Sequence, residues 1–255
     1  MEKGQMKERF SESDEVPTGT VAHAPVVTVR KATGPVKGVV LVLHGGRANS
    51  FEPVRARHLS PVRMVPFAAL VHSRGKDHGL AVWSLRNSVR GWNGQEMSPL
   101  HDARWALAAI RDRHPGVPVY LVGHSMGGLV ALCVADDPEV RAVASLAPWL
   151  SETTPADPVA GKRVLILHGD SDRWTSHRQS LRYAHRARSL ATDLHYVTVR
   201  SAGHFMVKKA RLWHELTASF VLKSFTEDTG AAIHPDGTLP ARDLLVGDQP
   251  LSITV

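Results

Sequence analysis

Three kinds of residue in this chain could together break an acyl bond: a serine between glycines, aspartates after a glycine turn, and a late histidine. Ser125 lies in Gly123-His124-Ser125-Met126-Gly127. A serine hydroxyl is a weak nucleophile at neutral pH and needs a base within hydrogen-bond reach. Histidine suits that task, because its pKa lies near working pH and it can pass the proton to a leaving group. A carboxylate must then hold the imidazole in one tautomer and stabilise its protonated form. Asp170 and Asp172, in His168-Gly169-Asp170-Ser171-Asp172, and His204, in Ser201-Ala202-Gly203-His204, supply those groups in the order serine, acid, base.

The elements around them must bring distant positions together. Val117 to Val122 is an apolar, β-branched run that stops at Gly123, and small or apolar residues follow Ser125. That pattern predicts strand, sharp turn and helix, with Ser125 at the tip of the turn. Val36 to Leu43 is nearly continuous apolar sequence, as expected of a strand covered on both faces, and ends in His44-Gly45-Gly46. Arg163 to Leu167 and Leu194 to Val199 read as strands leading into the aspartate and histidine segments. Further strands are predicted at 26–30, 80–85 and 142–147. Helices are predicted over 53–72, which Pro61 and Pro66 could split, and over 98–113, with Ser98 as cap and Pro99 in the first turn. Two more are expected at 176–190 and from His204 to about Lys223. Strands alternating with helices imply an α/β fold, a mainly parallel sheet with helices on both faces. Ligands of such sheets bind outside the carboxyl ends of the strands, and His44, Ser125, Asp172 and His204 all fall just past such ends.

Over residues 26 to 222 the chain resembles a small member of the α/β-hydrolase superfamily. The resemblance is carried by His44-Gly45-Gly46, Gly123-His124-Ser125-Met126-Gly127-Gly128, His168-Gly169-Asp170-Ser171-Asp172 and Gly203-His204-Phe205. It implies Ser125 as nucleophile on a nucleophile elbow, His204 as base and Asp172 as the orienting acid. Asp170 is the rival acid, with an alternative role in binding turn amides; an acid after the preceding strand would instead be Glu152 or Asp157. The resemblance also implies an oxyanion hole of backbone amides: Met126 after the nucleophile, and Gly46 or Arg47 from the loop after the His-Gly strand, with Arg47 favoured by register. The Arg47 side chain is a candidate contact for an anionic substrate group. His44, His124 and His168 are read as structural. The short loop after residue 147 predicts a minimal lid and an open site.

Other residues carry weaker signals. Trp92, in Arg90-Gly91-Trp92-Asn93-Gly94, and Trp174, after the acid, are candidates for the substrate pocket, with packing or turn roles as the alternative. His101 and Asp102 are expected on a solvated helix face. No His-x-x-x-His pair or cysteine pair suggests a metal site, and no Walker or dinucleotide fingerprint suggests a phosphate cofactor, so no cofactor is expected. The formal charge of +7 comes from Lys and Arg spread along the chain, without the dense basic run of a nucleic-acid surface. Cys133 is the single cysteine, which excludes an intrachain disulfide. No run approaches the roughly 18 apolar residues of a membrane span, and a cytoplasmic location is expected.

Residues 1–22 read as a polar tail, 23–223 as the α/β-hydrolase domain and 224–255 as a mostly irregular extension in which Leu244-Leu245-Val246 or Leu251 to Val255 could dock. The expected function is hydrolysis of a small-molecule carboxylic ester, thioester or lactone through an acyl-enzyme. Acyl transfer and amidase or peptidase action use the same residues. A non-catalytic ligand-binding protein on a hydrolase fold is the alternative from another class.

Overall fold

The computed structural model describes residues 23–233 and 252–255. Its centre is an eight-stranded sheet in the order β1-β3-β2-β4-β5-β6-β7-β8. The strands are β1 (Val26–Arg30), β2 (Gly38–Leu43), β3 (Leu80–Arg86), β4 (Val119–His124), β5 (Val140–Leu146), β6 (Arg163–Gly169), β7 (Asp193–Val199) and β8 (Ser252–Thr254). Only β1 runs antiparallel, along β3; the other pairings are parallel. Every residue of β2 and β4 is buried, which is why these strands read as continuous apolar runs.

The pleat sends alternate residues into two cores. Val40 and Val42 of β2 face α1 (Leu59–Gly75) and α5 (Ala210–Thr229), where Phe67, Trp213, Phe220 and Phe225 fill the layer. Val39, Leu41 and Leu43 face the opposite layer of α2 (Ser98–Arg113), α3 (Met126–Cys133) and α4 (His177–Ala187), with Leu107, Ile110, Leu132 and Tyr183 against them. Helices thus cover both faces, the expected architecture. Among the described residues no helix is long and apolar enough to cross a membrane.

Some local expectations need correcting. Neither proline splits α1: Pro61 falls in the first turn, where an N–H has no helical partner, and Pro66 sits on the solvent side. Ser98 does not cap α2. The helix begins at Ser98 itself, after Met97 in a left-handed conformation, and the Ser98 hydroxyl accepts from Asn93 Nδ2 at 3.2 Å. Asp102 is buried rather than solvated, because it accepts hydrogen bonds from the Ser88 amide and hydroxyl at 2.8 and 2.9 Å. The last long helix runs on to Thr229, and Ser252–Thr254 adds a parallel edge strand to β7. The expected polar tail and the Leu244-Leu245-Val246 segment lie outside the described residues.

Candidate active site

Ser125 stands between β4 and α3 with φ 57° and ψ −117°, a combination an L-residue adopts only under constraint. The turn is tight enough that a Cβ on Gly123 would lie 2.1 Å from the Gly127 carbonyl oxygen, so only glycine fits there. The Ser125 amide donates to Leu146 of the neighbouring β5 at 2.9 Å, and its carbonyl accepts from Gly128, Leu129 and Trp149. Backbone bonds on both sides therefore hold the serine in the strained conformation.

His204 Nε2 lies 3.0 Å from Ser125 Oγ, and His204 Nδ1 lies 2.8 Å from Asp172 Oδ2. A carboxylate only accepts, so Nδ1 carries the hydrogen and Nε2 of the neutral ring accepts from the serine hydroxyl. Side chains separated by 79 positions in sequence thus form one hydrogen-bonded chain. The Asp172 side chain is fully buried. It accepts from the Trp174 and Thr175 amides at 2.7 and 2.9 Å and from the Thr175 hydroxyl at 2.8 Å. Burial alone would raise the Asp172 pKa. Hydrogen bonds from His168, His204 and these two amides outweigh it and hold the carboxyl well below the usual carboxylate range.

The rival acids lie elsewhere. Asp170 is exposed and accepts from the Ser201 amide at 2.7 Å, so it fastens the loop that carries His204. Glu152 is exposed and pairs with Arg182 at 2.6 Å, and Asp157 is exposed in a short 3₁₀ turn.

The family model described as alpha/beta hydrolase fold matches residues 38–164. Solved structures agree with it. An alpha-beta serine hydrolase homologue from Coxiella burnetii superposes with a TM-score of 0.57 at 17% identity, covering 76% of this chain and 90% of that one. Est1E from Butyrivibrio proteoclasticus, with ferulic acid bound, gives 0.57 at 16% identity, covering 79% and 96%. XC6422 from Xanthomonas campestris, described as a serine hydrolase without lid, gives 0.56 at 17% identity, covering 83% and 91%. The chain belongs to the α/β-hydrolase superfamily. No curated protein sequence matches it.

In this α/β-hydrolase the loop after β2 approaches the serine from the other side. A Cβ on Gly46 would sit 2.3 Å from Met126 Cε, so absence of a side chain lets that loop close on α3. The Arg47 amide is already engaged, donating to the Arg90 carbonyl at 2.9 Å. Register alone favours Arg47 as the second oxyanion donor. The bridge between Arg47 and Gly91 takes up that N–H, and Gly46 is the remaining candidate of the pair.

The three other histidines at the strand ends each tie loops together. His44 Nδ1 donates to the Gly45 carbonyl at 2.7 Å and Nε2 accepts from the Asn87 amide at 3.1 Å, joining the loops after β2 and β3. His124 Nε2 donates to the His204 carbonyl at 2.9 Å. Burial lowers the pKa of His44 to about 4 and that of His124 to about 3, so both stay neutral at working pH. His168 Nε2 lies 3.3 Å from Asp172 Oδ2, while Ser180 Oγ is 2.7 Å from its Nδ1 and 2.9 Å from the Tyr196 hydroxyl. Thr175 and Ser180, both part of this buried support, lie in a polar stretch whose sequence gives no sign of the role.

A cavity of about 700 Å³ opens above Ser125, between the β2 loop and the start of α1. Trp174 lines it, 72% exposed and stacked toward His204 with ring centroids 6.3 Å apart. Trp92 does not line it. Its ring is partly buried and packs edge-on to Trp149, the tryptophan that does reach the cavity. The segment between β5 and β6 holds only a single 3₁₀ turn, Asp157–Val159, consistent with a minimal lid.

Proposed function

We propose that the protein is a cofactor-independent serine hydrolase of carboxylic esters, thioesters or lactones. The observation that carries this reading is the unbroken chain Ser125 Oγ–His204 Nε2–Asp172 at 3.0 and 2.8 Å, opening into a cavity. Ser125 Oγ attacks the substrate carbonyl carbon as its proton passes to His204 Nε2. Asp172 accepts from Nδ1–H throughout and stabilises the imidazolium without taking its proton. The amides of Met126 and Gly46 receive the developing oxyanion, Met126 at the first position of α3, where an N–H has no helical partner. Collapse expels the alcohol or thiol with the proton from His204, leaving an acyl-serine. A water deprotonated by His204 then releases the acid.

The minimal lid favours small or medium substrates over long lipid chains. The Pyrococcus furiosus esterase Pf2001, which shares the fold, and the lidless serine hydrolase support the ester reading, at identities that speak for the fold alone. A fluorophosphonate probe tests it: folded wild-type protein should be labelled covalently on Ser125, and Ser125→Ala should not. Absence of label on wild type, or equal label on the variant, leaves a ligand-binding protein on this fold.

A further inference from the structure

We propose that the substrate of Ser125 carries a fixed negative charge, received by Arg47, Arg57 and Arg63 at the cavity wall. The inference deepens the hydrolase reading and rests on it. Four arginines line the cavity. Arg90 is neutralised by Glu52 at 2.5 Å. Arg47, Arg57 and Arg63 have no carboxylate partner among the described residues, and no aspartate or glutamate lines the cavity. The nearby carboxylate of the site, Asp172, is fully buried and committed to His204, Thr175 and the Trp174 amide. The first turn of α1, which forms one wall, also lacks an acidic residue.

Arg47 and Arg57 are exposed at the rim of the cavity, and Arg63 differs from them. Arg63 is half-buried, with its guanidinium 4.6 Å from the centre of the Phe205 ring. That ring contact orients the side chain at the mouth and does not satisfy its N–H donors. A guanidinium stays charged under such burial, and its planar fork matches a carboxylate or phosphate group. Arg63, with the exposed Arg47 and Arg57, concentrates a positive potential in a concave, partly apolar site where the acyl group must enter. Trp149 and Trp174 leave room for an apolar body beside the charge. The chemistry that fits is an ester, thioester or lactone with a carboxylate or phosphate-like group on one arm.

The test compares p-nitrophenyl esters of equal acyl length ending in methyl, carboxylate, phosphonate or trimethylammonium. A second pair, phenyl and 4-carboxyphenyl esters of one acid, moves the charge to the leaving group. In at least one arm, kcat/KM for the anionic ester should exceed that of its neutral match by ~10–100-fold, the scale of one or two charge-assisted hydrogen bonds. The trimethylammonium ester should be poorest, and added salt should shrink the preference. The carboxylate-to-phosphonate ratio identifies the anion. Replacing Arg47, Arg57 and Arg63 by Gln should bring the anionic-to-neutral ratio toward one, whereas Arg188→Gln, on an exposed residue outside the cavity, should not. If neutral esters are cleaved as well as anionic ones in both arms of the wild type, this inference fails and the hydrolase reading stands. If no ester is cleaved and the fluorophosphonate leaves Ser125 unlabelled, both fail together.

Discussion

The two ends of the sheet carry similar materials and treat them differently. At the amino ends of the central strands a smaller cleft, of about 370 Å³, is lined by Arg141, Arg163 and Asp228. There Arg163 is closed by Asp228, which also accepts from the Tyr120 hydroxyl at 3.0 Å, and Glu227 lies 3.5 Å away. Nearby, Arg111 is held by Asp137 and Glu139 at 2.6 and 2.9 Å. At the carboxyl ends three cavity arginines have no carboxylate among the described residues, a buried aspartate is spent on a histidine, and a serine sits in a strained turn. At the amino ends Arg163 and Arg111 fasten elements together, while the exposed Arg141 has no ion pair among the described residues. The carboxyl ends leave charge and strain available to a ligand, which is where function departs from local stability.

Breaking the hydrogen-bonded chain should have the largest effect. Asp172→Asn retains a similar shape but no longer holds Nδ1–H as the donor, so the histidine can present the wrong tautomer to Ser125. We expect ester kcat to fall by roughly 10⁴-fold, measured with p-nitrophenyl esters at saturation. Asp170→Asn keeps an oxygen to accept from the Ser201 amide and should lose a few-fold at most. A crippled Asp170→Asn beside a near-normal Asp172→Asn would overturn the assignment of the acid.

Keeping two buried strand-end histidines uncharged costs the fold stability at low pH. His44 and His124 are lowered from 6.5 to about 4 and about 3, chiefly by burial. Their folded pKa values lie below the unfolded ones. Between about pH 6.5 and 4 the unfolded chain therefore binds protons that the native state refuses, and stability falls as pH drops through that window. At about 1.4 kcal/mol for each unit between the two pKa values, His44 alone accounts for roughly 3 kcal/mol. Asp172 adds to this only below about pH 4, because its carboxylate stays ionised until far lower pH in the folded state. Urea midpoints at pH 7 and 4.5 should differ by several kcal/mol in unfolding free energy. A flat midpoint over that range would show that these rings are not held buried and neutral.

Much of this architecture is legible in sequence because burial writes itself into composition. The strands β2, β4 and β6 are covered on both faces and therefore read as apolar runs, and the chemistry follows them at glycine turns. What sequence could not show is whatever depends on contacts between loops. The commitment of the Arg47 amide to Arg90, the inward turn of Asp102 toward Ser88, and the pairing of Trp92 with Trp149 all join residues from different connections. Thr175, which touches both Asp172 and His204, has no distinguishing neighbour in the chain. The edge strand β8 is three residues long, too short for its alternation to signal a strand, and only its pairing with β7 defines it.

The smallest effect separates the two ends most cleanly. Asp228→Asn removes the charge that closes Arg163 and weakens the bond from Tyr120, far from Ser125. The pair is mostly shielded, with side chains 18% and 21% exposed, so its loss leaves a partly desolvated guanidinium. Solvent still reaches it, and Glu227 remains close, which keeps the expected loss to roughly 1–2 kcal/mol of unfolding free energy. Ester kcat/KM and the anionic-to-neutral ratio should be unchanged, because nothing in the cavity contacts this pair. A lower urea midpoint with intact kinetics is the signature of a fastening charge. If Asp228→Asn instead shifts substrate selectivity while stability holds, the division between a fastened end and an open end is wrong, and the sheet transmits charge from one to the other.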